Sequence, residues 1–325
     1  MLRLGLLALV AVALAGCSGG GSSGDAATTR PVGPMRFVAL PAPPRPLGPL
    51  GRIVDNDDTV IALVEGHLYR YDPWTPGAIW IELGRDLPTA RSRLVSWNDR
   101  VWYLTNDRGG LELVSVALSA EPRSDTRAVS GDAAAGYAIV AARDAVYVFG
   151  AGGGFRVDRD GVYTEFLGPP DSRAVTDWST ERLAELGDGT IVVTDGNHLD
   201  WIYEPDLSRW RDPPSEVQPR DIRSITVDRD GAYLIAGSPP EALRLAASNR
   251  LEPLSTALIV GCETPELYPS DLGTLSVGCG KATLIDAENQ SVDVPAGTLV
   301  VHGPRGRPLA IRSDTGELSM LQPAQ

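Results

Sequence analysis

Histidine and cysteine, the side chains best suited to proton transfer near neutral pH, soft-metal binding and thiol chemistry, are few here: three of each in 325 residues. His67, His198 and His302 stand far apart, with no His-x-x-x-His or Cys-x-x-Cys spacing. No zinc or copper ligand set is therefore expected, and no cofactor is called for. Gly150-Ala151-Gly152-Gly153-Gly154 lacks the Lys-Ser/Thr end of a phosphate-cradling loop, and no Gly-x-Ser-x-Gly elbow is present. Asp158-Arg159-Asp160-Gly161 and Asp228-Arg229-Asp230-Gly231 resemble half of a calcium loop. They offer too few oxygens for that ion, and a tight Asp-Gly turn accounts for them.

One place gathers groups able to act together. Residues 171–180 hold Asp177 and Trp178, and Asp195-Gly196-Asn197-His198-Leu199-Asp200 follows shortly. A carboxylate beside a histidine can exchange protons, and an indole can stack on a sugar or peptide. Trp178, Asp177, Asp195, Asn197 and His198 are the candidate ligand-binding residues. No residue is assigned as catalytic, because a solvated loop with its Trp packed on the fold explains the same set.

The elements that would position these groups repeat along the chain. Asn98-Asp99-Arg100 precedes Val101-Trp102-Tyr103-Leu104, and Arg143-Asp144 precedes Ala145-Val146-Tyr147-Val148-Phe149. Gly187-Asp188-Gly189 before Thr190-Ile191-Val192-Val193, and Asp228 to Gly231 before Ala232-Tyr233-Leu234-Ile235, continue the pattern. A turn-and-strand unit about every 40 residues points to propeller blades. Alternating runs dominate and no helical period stands out. The fold class is all-β, a seven-bladed β-propeller, with six or eight blades as alternatives.

Units are expected to start near Leu50, Arg93, Tyr137, Arg182, Ile222, Thr256 and Thr298. The last one runs out of chain after three strands, which would leave an open sheet edge. The island from Phe37 to Leu40 can supply the missing outer strand and close the ring. In such a ring, the loop between blades and the loop between second and third strands open on one face. Both loops of the fourth unit therefore face the same way.

The hydrophobic fraction of 43% supplies a core for one large β domain, expected over residues 35–325 with a Pro-rich spacer at 41–49. A net charge of −13 argues against a nucleic-acid partner, since phosphate binding needs clustered cations. Lys281 is the single lysine among 29 basic residues, a bias read as coding composition.

The N-terminus reads as a leader over residues 1–16: Arg3, an apolar run at 4–14 too short to span a bilayer, then Leu14-Ala15-Gly16-Cys17. That ending resembles a bacterial lipobox. The resemblance implies lipidation of Cys17, which becomes the first mature residue and anchors the chain on the extracytoplasmic face of the cell membrane. Residues 17–34 read as a flexible Gly/Ser-rich tether.

With Cys17 acylated, Cys262 and Cys279 remain as a pair suited to an oxidising compartment. If they end the first and second strands of a plain hairpin, they lie on the order of 20 Å apart. A bridge then needs the insertion 263–271 to fold back; both outcomes stay open.

Two units also resemble the kelch repeat. Tyr203-Glu204-Pro205-Asp206-Leu207-Ser208-Arg209-Trp210 follows its Tyr-Asp-Pro then Trp pattern, and Tyr71-Asp72-Pro73-Trp74-Thr75 with Trp80 follows it with extra residues. The resemblance implies Tyr and Trp on adjacent outer strands covering a blade. The ligand set of the kelch-like copper oxidases cannot be mapped here.

The expected function is a binding or scaffold module for an envelope protein, peptide or glycan. The alternative is an extracellular hydrolase or lyase acting on glycan or peptide through the fourth-unit loops.

Overall fold

The computed structural model describes residues 34–47, 52–107, 109–119, 124–129, 136–150, 152–170, 178, 182–219, 221–228, 231–254, 262, 265–285, 290–294 and 297–324. The leader, Cys17, most of the tether and Asp177 lie outside the described residues. No helix among the described residues is long and apolar enough to cross a membrane.

The strands form seven antiparallel sheets of four, each a meander except the one that closes the ring. The innermost strands are Arg52–Asn56, Val95–Trp97, Tyr137–Ala141, Arg182–Glu185, Ile222–Asp228, Glu266–Ser270 and Thr298–Val301. Four begin where the sequence placed a unit: Tyr137, Arg182, Ile222 and Thr298. The sixth does not. Its inner strand starts at Glu266 rather than near Thr256, a correction that carries the cysteines with it.

Pro269 explains the misreading. It lies inside that inner strand, opposite Thr274, although a proline normally argues against a strand. An inner strand has one edge on the channel, so a missing N–H on that edge breaks no ladder bond. With the strand so placed, Cys262 precedes it and Cys279 directly follows its neighbour Gly273–Gly278. Those two hairpin ends lie together, as Glu266 opposite Val277 shows. Cys262 and Cys279 are bonded, their Cα atoms 5.8 Å apart. The long separation belonged to the wrong strand boundary.

Ring closure is as the strand count requires. Met35–Ala39 pairs with Leu318–Pro323, Phe37 opposite Leu321, as the outer strand of blade 7. Leu40 N donates to Leu318 O at 2.8 Å, and Met35 is buried with Tyr268, Leu275 and Leu321.

The core is distributed between blades. One cluster, for example, packs Tyr147 and Phe149 of blade 3 against Ile191, Trp201 and Tyr203 of blade 4. One of the strands that supply this cluster is buried along its whole length, Ala145–Gly150. Turns take the residues that tolerate positive φ, such as Asn98 and Asp99 at 52° and 54°. Asp158 is committed to its own turn, its Oδ1 accepting from Asp160 N at 3.0 Å and Val162 N at 2.9 Å.

The Tyr–Trp packing is present. Tyr203 lies opposite Trp210, ring centroids 4.9 Å apart, and Tyr71 stacks on Trp80 at 5.1 Å. Each indole also ties its blade to the preceding outer strand. Trp210 Nε1 donates to Leu167 O, and Trp80 Nε1 to Pro41 O, both at 2.8 Å. Pro41 follows the closing strand, so the same bond recurs across the seam.

Candidate functional site

An antiparallel meander fixes which connections share a face. Loops leading into inner strands and loops joining second to third strands open on one face, called upper here. Hairpins joining first to second strands lie on the lower face. The upper face holds a cavity of about 450 Å³ over blades 4 to 7. Its charged and amide side chains are Arg182, Asp195, Asn197, Arg223, Glu266 and Lys281.

The fourth-blade loop enters this cavity as a self-contained turn. Asp195 Oδ1 accepts from Asn197 N and His198 N, each at 2.7 Å, and its Oδ2 lies 3.1 Å from His198 Nδ1. Burial alone would raise the Asp195 pKa, but these hydrogen bonds outweigh it and hold the carboxyl below its usual value. The hydrogen bond to Asp195 raises His198 in turn. The loop is pinned outward from blade 5, where Ile225 N donates to Gly196 O at 2.7 Å.

Glu266 is equally engaged. Its Oε2 accepts from the Tyr268 hydroxyl at 2.6 Å, and its Oε1 lies 3.5 Å from Arg182 Nη1. Burial first, then the Glu266 charge, pushes the Tyr268 phenol well above its ordinary range. Arg182 also donates to Ile225 O at 3.0 Å. Every carboxylate of the cavity lining thus has a partner.

Two cations do not. Arg223 occupies a register shift between Ile222 and Ser224, which pair with Ala236 and Ile235. Among the described residues this is the one shift between an inner strand and its neighbour. A bulge of this kind re-aims a side chain, and bulges gather beside functional sites. Lys281 begins the third strand of blade 6, directly after the Cys279-Gly280 turn, whose φ values are 52° and 71°. The disulfide holds that turn close: a Cβ on Gly278 would sit 2.7 Å from Cys262 Sγ. Neither Arg223 nor Lys281 has an ion-pair partner among the described residues, while both line the cavity.

Below the cavity, arginine stitches the channel wall. Arg93 Nε donates to Ile139 O at 2.9 Å and its Nη2 to Leu183 O at 2.8 Å, linking the inner strands of blades 2, 3 and 4. Blades surround the guanidinium while channel solvent reaches it. Burial lowers its pKa to about 10, Asp228 opposing and Arg182 adding to that effect, and it stays charged at neutral pH. At the lower end His302 Nδ1 lies 3.3 Å from Asp228 Oδ2. A second cavity, about 490 Å³, opens on the lower face. It is lined by Arg143 and Arg244 together with Asp57, Asp99 and Glu185, and Glu185 Oε1 lies 4.0 Å from Arg143 Nε. No group of three or more His, Cys, Asp or Glu side chains among the described residues is placed to hold a metal.

Of the residues expected at the site, Asp195 and Asn197 line the upper cavity. His198 sits beside them on the exposed side of the loop. Trp178 is elsewhere: 1% exposed, it stacks on Phe149 at 5.9 Å and meets Trp210 edge-on, inside the blade 3–4 core. Asp177 lies outside the described residues. Sequence reasoning missed Arg182, Arg223, Glu266 and Lys281, which come from three different blades. The one signal available was the solitary lysine, read only as composition.

The sequence matches no family model and no curated protein. Solved structures match by fold. Virginiamycin B lyase from Staphylococcus aureus is 12% identical with a TM-score of 0.59, over 89% of this chain and 100% of that one. The extracellular domain of a candidate one-component system from B. thetaiotaomicron is 10% identical with a TM-score of 0.52. That match covers 87% of this chain and 39% of the other. At such identities the likeness is one of fold.

Proposed function

We propose that this chain is an extracytoplasmic ligand-binding propeller, anchored by acyl chains on Cys17, whose upper cavity takes an anionic ligand. The placement outside the cytoplasm rests on the leader and on Cys17. The observation that carries the ligand class is Arg223. A bulge turns it into a cavity where Asp195 and Glu266 already have partners, and Lys281 joins it with no ion-pair partner among the described residues. Against a net charge of −13, two cations in one concavity with no ion-pair partner among the described residues are a local reversal of sign, which draws in anions. The lower cavity lacks this reversal, since Asp57, Asp99 and Glu185 line it with Arg143 and Arg244.

The rival reading, hydrolysis or elimination on glycan or peptide, draws on the Asp195–His198 contact. Asp195 is engaged by its own turn, and Trp178 is buried away from any substrate, so binding is the better reading.

Calorimetric titration with octanoate and inorganic phosphate tests the ligand class. At least one should bind, and Arg223→Ala with Lys281→Ala should weaken it by about tenfold or more, as expected for loss of charge-assisted contacts. Equal binding by wild type and double variant would remove the reading. Anchoring is tested apart: Cys17→Ser should abolish fatty-acid labelling, and intact labelling would end the lipoprotein assignment.

A further inference from the structure

The upper cavity is not polar throughout. Beside Arg223 and Lys281 it is walled by Val277, Val294, Leu299 and Val300. Val300 turns into the blade core, and alternation along Thr298–Val301 sends Leu299 the opposite way. Leu299 is 58% exposed, one of the most exposed large apolar side chains among the described residues. A lone exposed leucine on a convex surface needs no explanation. Here it lines the same concavity as two cations that have no ion-pair partner among the described residues. A bare inorganic anion would satisfy the cations and leave that wall in water.

Resting on the reading above, we infer that the ligand is an amphipathic organic anion. Its carboxylate or phosphate head meets Arg223 and Lys281, and its aliphatic or aromatic body lies along Leu299, Val277 and Val294. The cavity, at about 450 Å³, has the size of a small-molecule site and suits a compact solute rather than a polymer. The chemistry needs no metal and no covalent step. The head sets the requirement for charge, and the body selects among anions by length and shape.

The test is a chain-length series of acetate, butyrate, hexanoate and octanoate, titrated into the full chain at one ionic strength. One wall of the site is open to water, so each added methylene is expected to tighten binding about twofold, half the effect of full burial. Octanoate should then exceed acetate by about 60-fold, with octylamine not binding. Leu299→Ser should flatten the slope and leave acetate unchanged. Its exposure leaves folding untouched, which thermal melts verify. Arg223→Ala with Lys281→Ala should lower the whole series. A flat series that still depends on Arg223 and Lys281 overturns the apolar wall and keeps the anion site. A series in which no anion binds, or in which the double variant changes nothing, removes both.

Discussion

Replacing Met35 by alanine isolates the contribution of the closing strand. Met35 is 5% exposed and packs among Tyr268, Leu275, Val300 and Leu321 between blades 6 and 7. Truncating it removes the thioether end from a packed site, a loss of about 2 to 3 kcal/mol from transfer and residual cavity together. For a domain this large that corresponds to about 3 to 5 °C in melting temperature. The neighbour Arg36 faces solvent from the same strand, so Arg36→Ala should shift the melt by less than about 1 °C. Deleting the strand altogether is a less clean perturbation. Freeing its residues returns about 1 to 2 kcal/mol each of backbone entropy, which offsets part of the lost contact. A chain starting at Pro41 should still melt lower than one starting at Met35, or aggregate through the uncovered edge of Leu318–Pro323. The assay is paired thermal and urea unfolding. If Met35→Ala and Arg36→Ala melt alike, the strand is not docked and the closure argument fails.

Other expectations follow from the same geometry. Trp178→Ala should cost about 3 to 5 kcal/mol in urea unfolding, as a buried indole lost from the blade 3–4 core; a variant as stable as wild type would contradict that packing. Non-reduced, denatured mature protein should show no free thiol, and reduction should lower stability by about 3 kcal/mol, since the bridge spans 17 residues. Two reactive thiols would refute the bond. By NMR, His198 should titrate above about 6.5 and fall back in Asp195→Asn. The Asp195–His198 contact stabilises between the two shifted titrations. It is lost as pH falls through the depressed Asp195 value, and again as pH rises through the raised His198 value. An unshifted His198 would sink it.

The fold was legible because its signals are local. Turn residues and β-branched runs alternate at a fixed period, and four inner strands start at the residues that pattern marks. The sixth was misplaced because Pro269 looks like a strand breaker unless its edge is known to face a channel. The site was only half legible. Asp195, Asn197 and His198 are contiguous, so a single loop revealed them. Arg182, Arg223 and Lys281 converge only after three blades rotate about one axis, and nothing within any one unit marks that convergence. The bulge at Arg223 is a property of pairing, not of composition. Trp178 misled for the opposite reason: a loop indole looks available until its neighbours Phe149 and Trp210 are in place.

The seam also sets a clock. Met35 pairs with Pro323, so the strand that opens the ring waits for the strand that closes it before its edge is covered. Contacts this distant in sequence form slowly, and an uncovered strand is an aggregation hazard while it waits. Completion of the ring therefore waits on the strand Leu318–Pro323. A product truncated before Leu318 leaves its opening strand unpaired and open to proteases, so unfinished copies carry their own mark for removal.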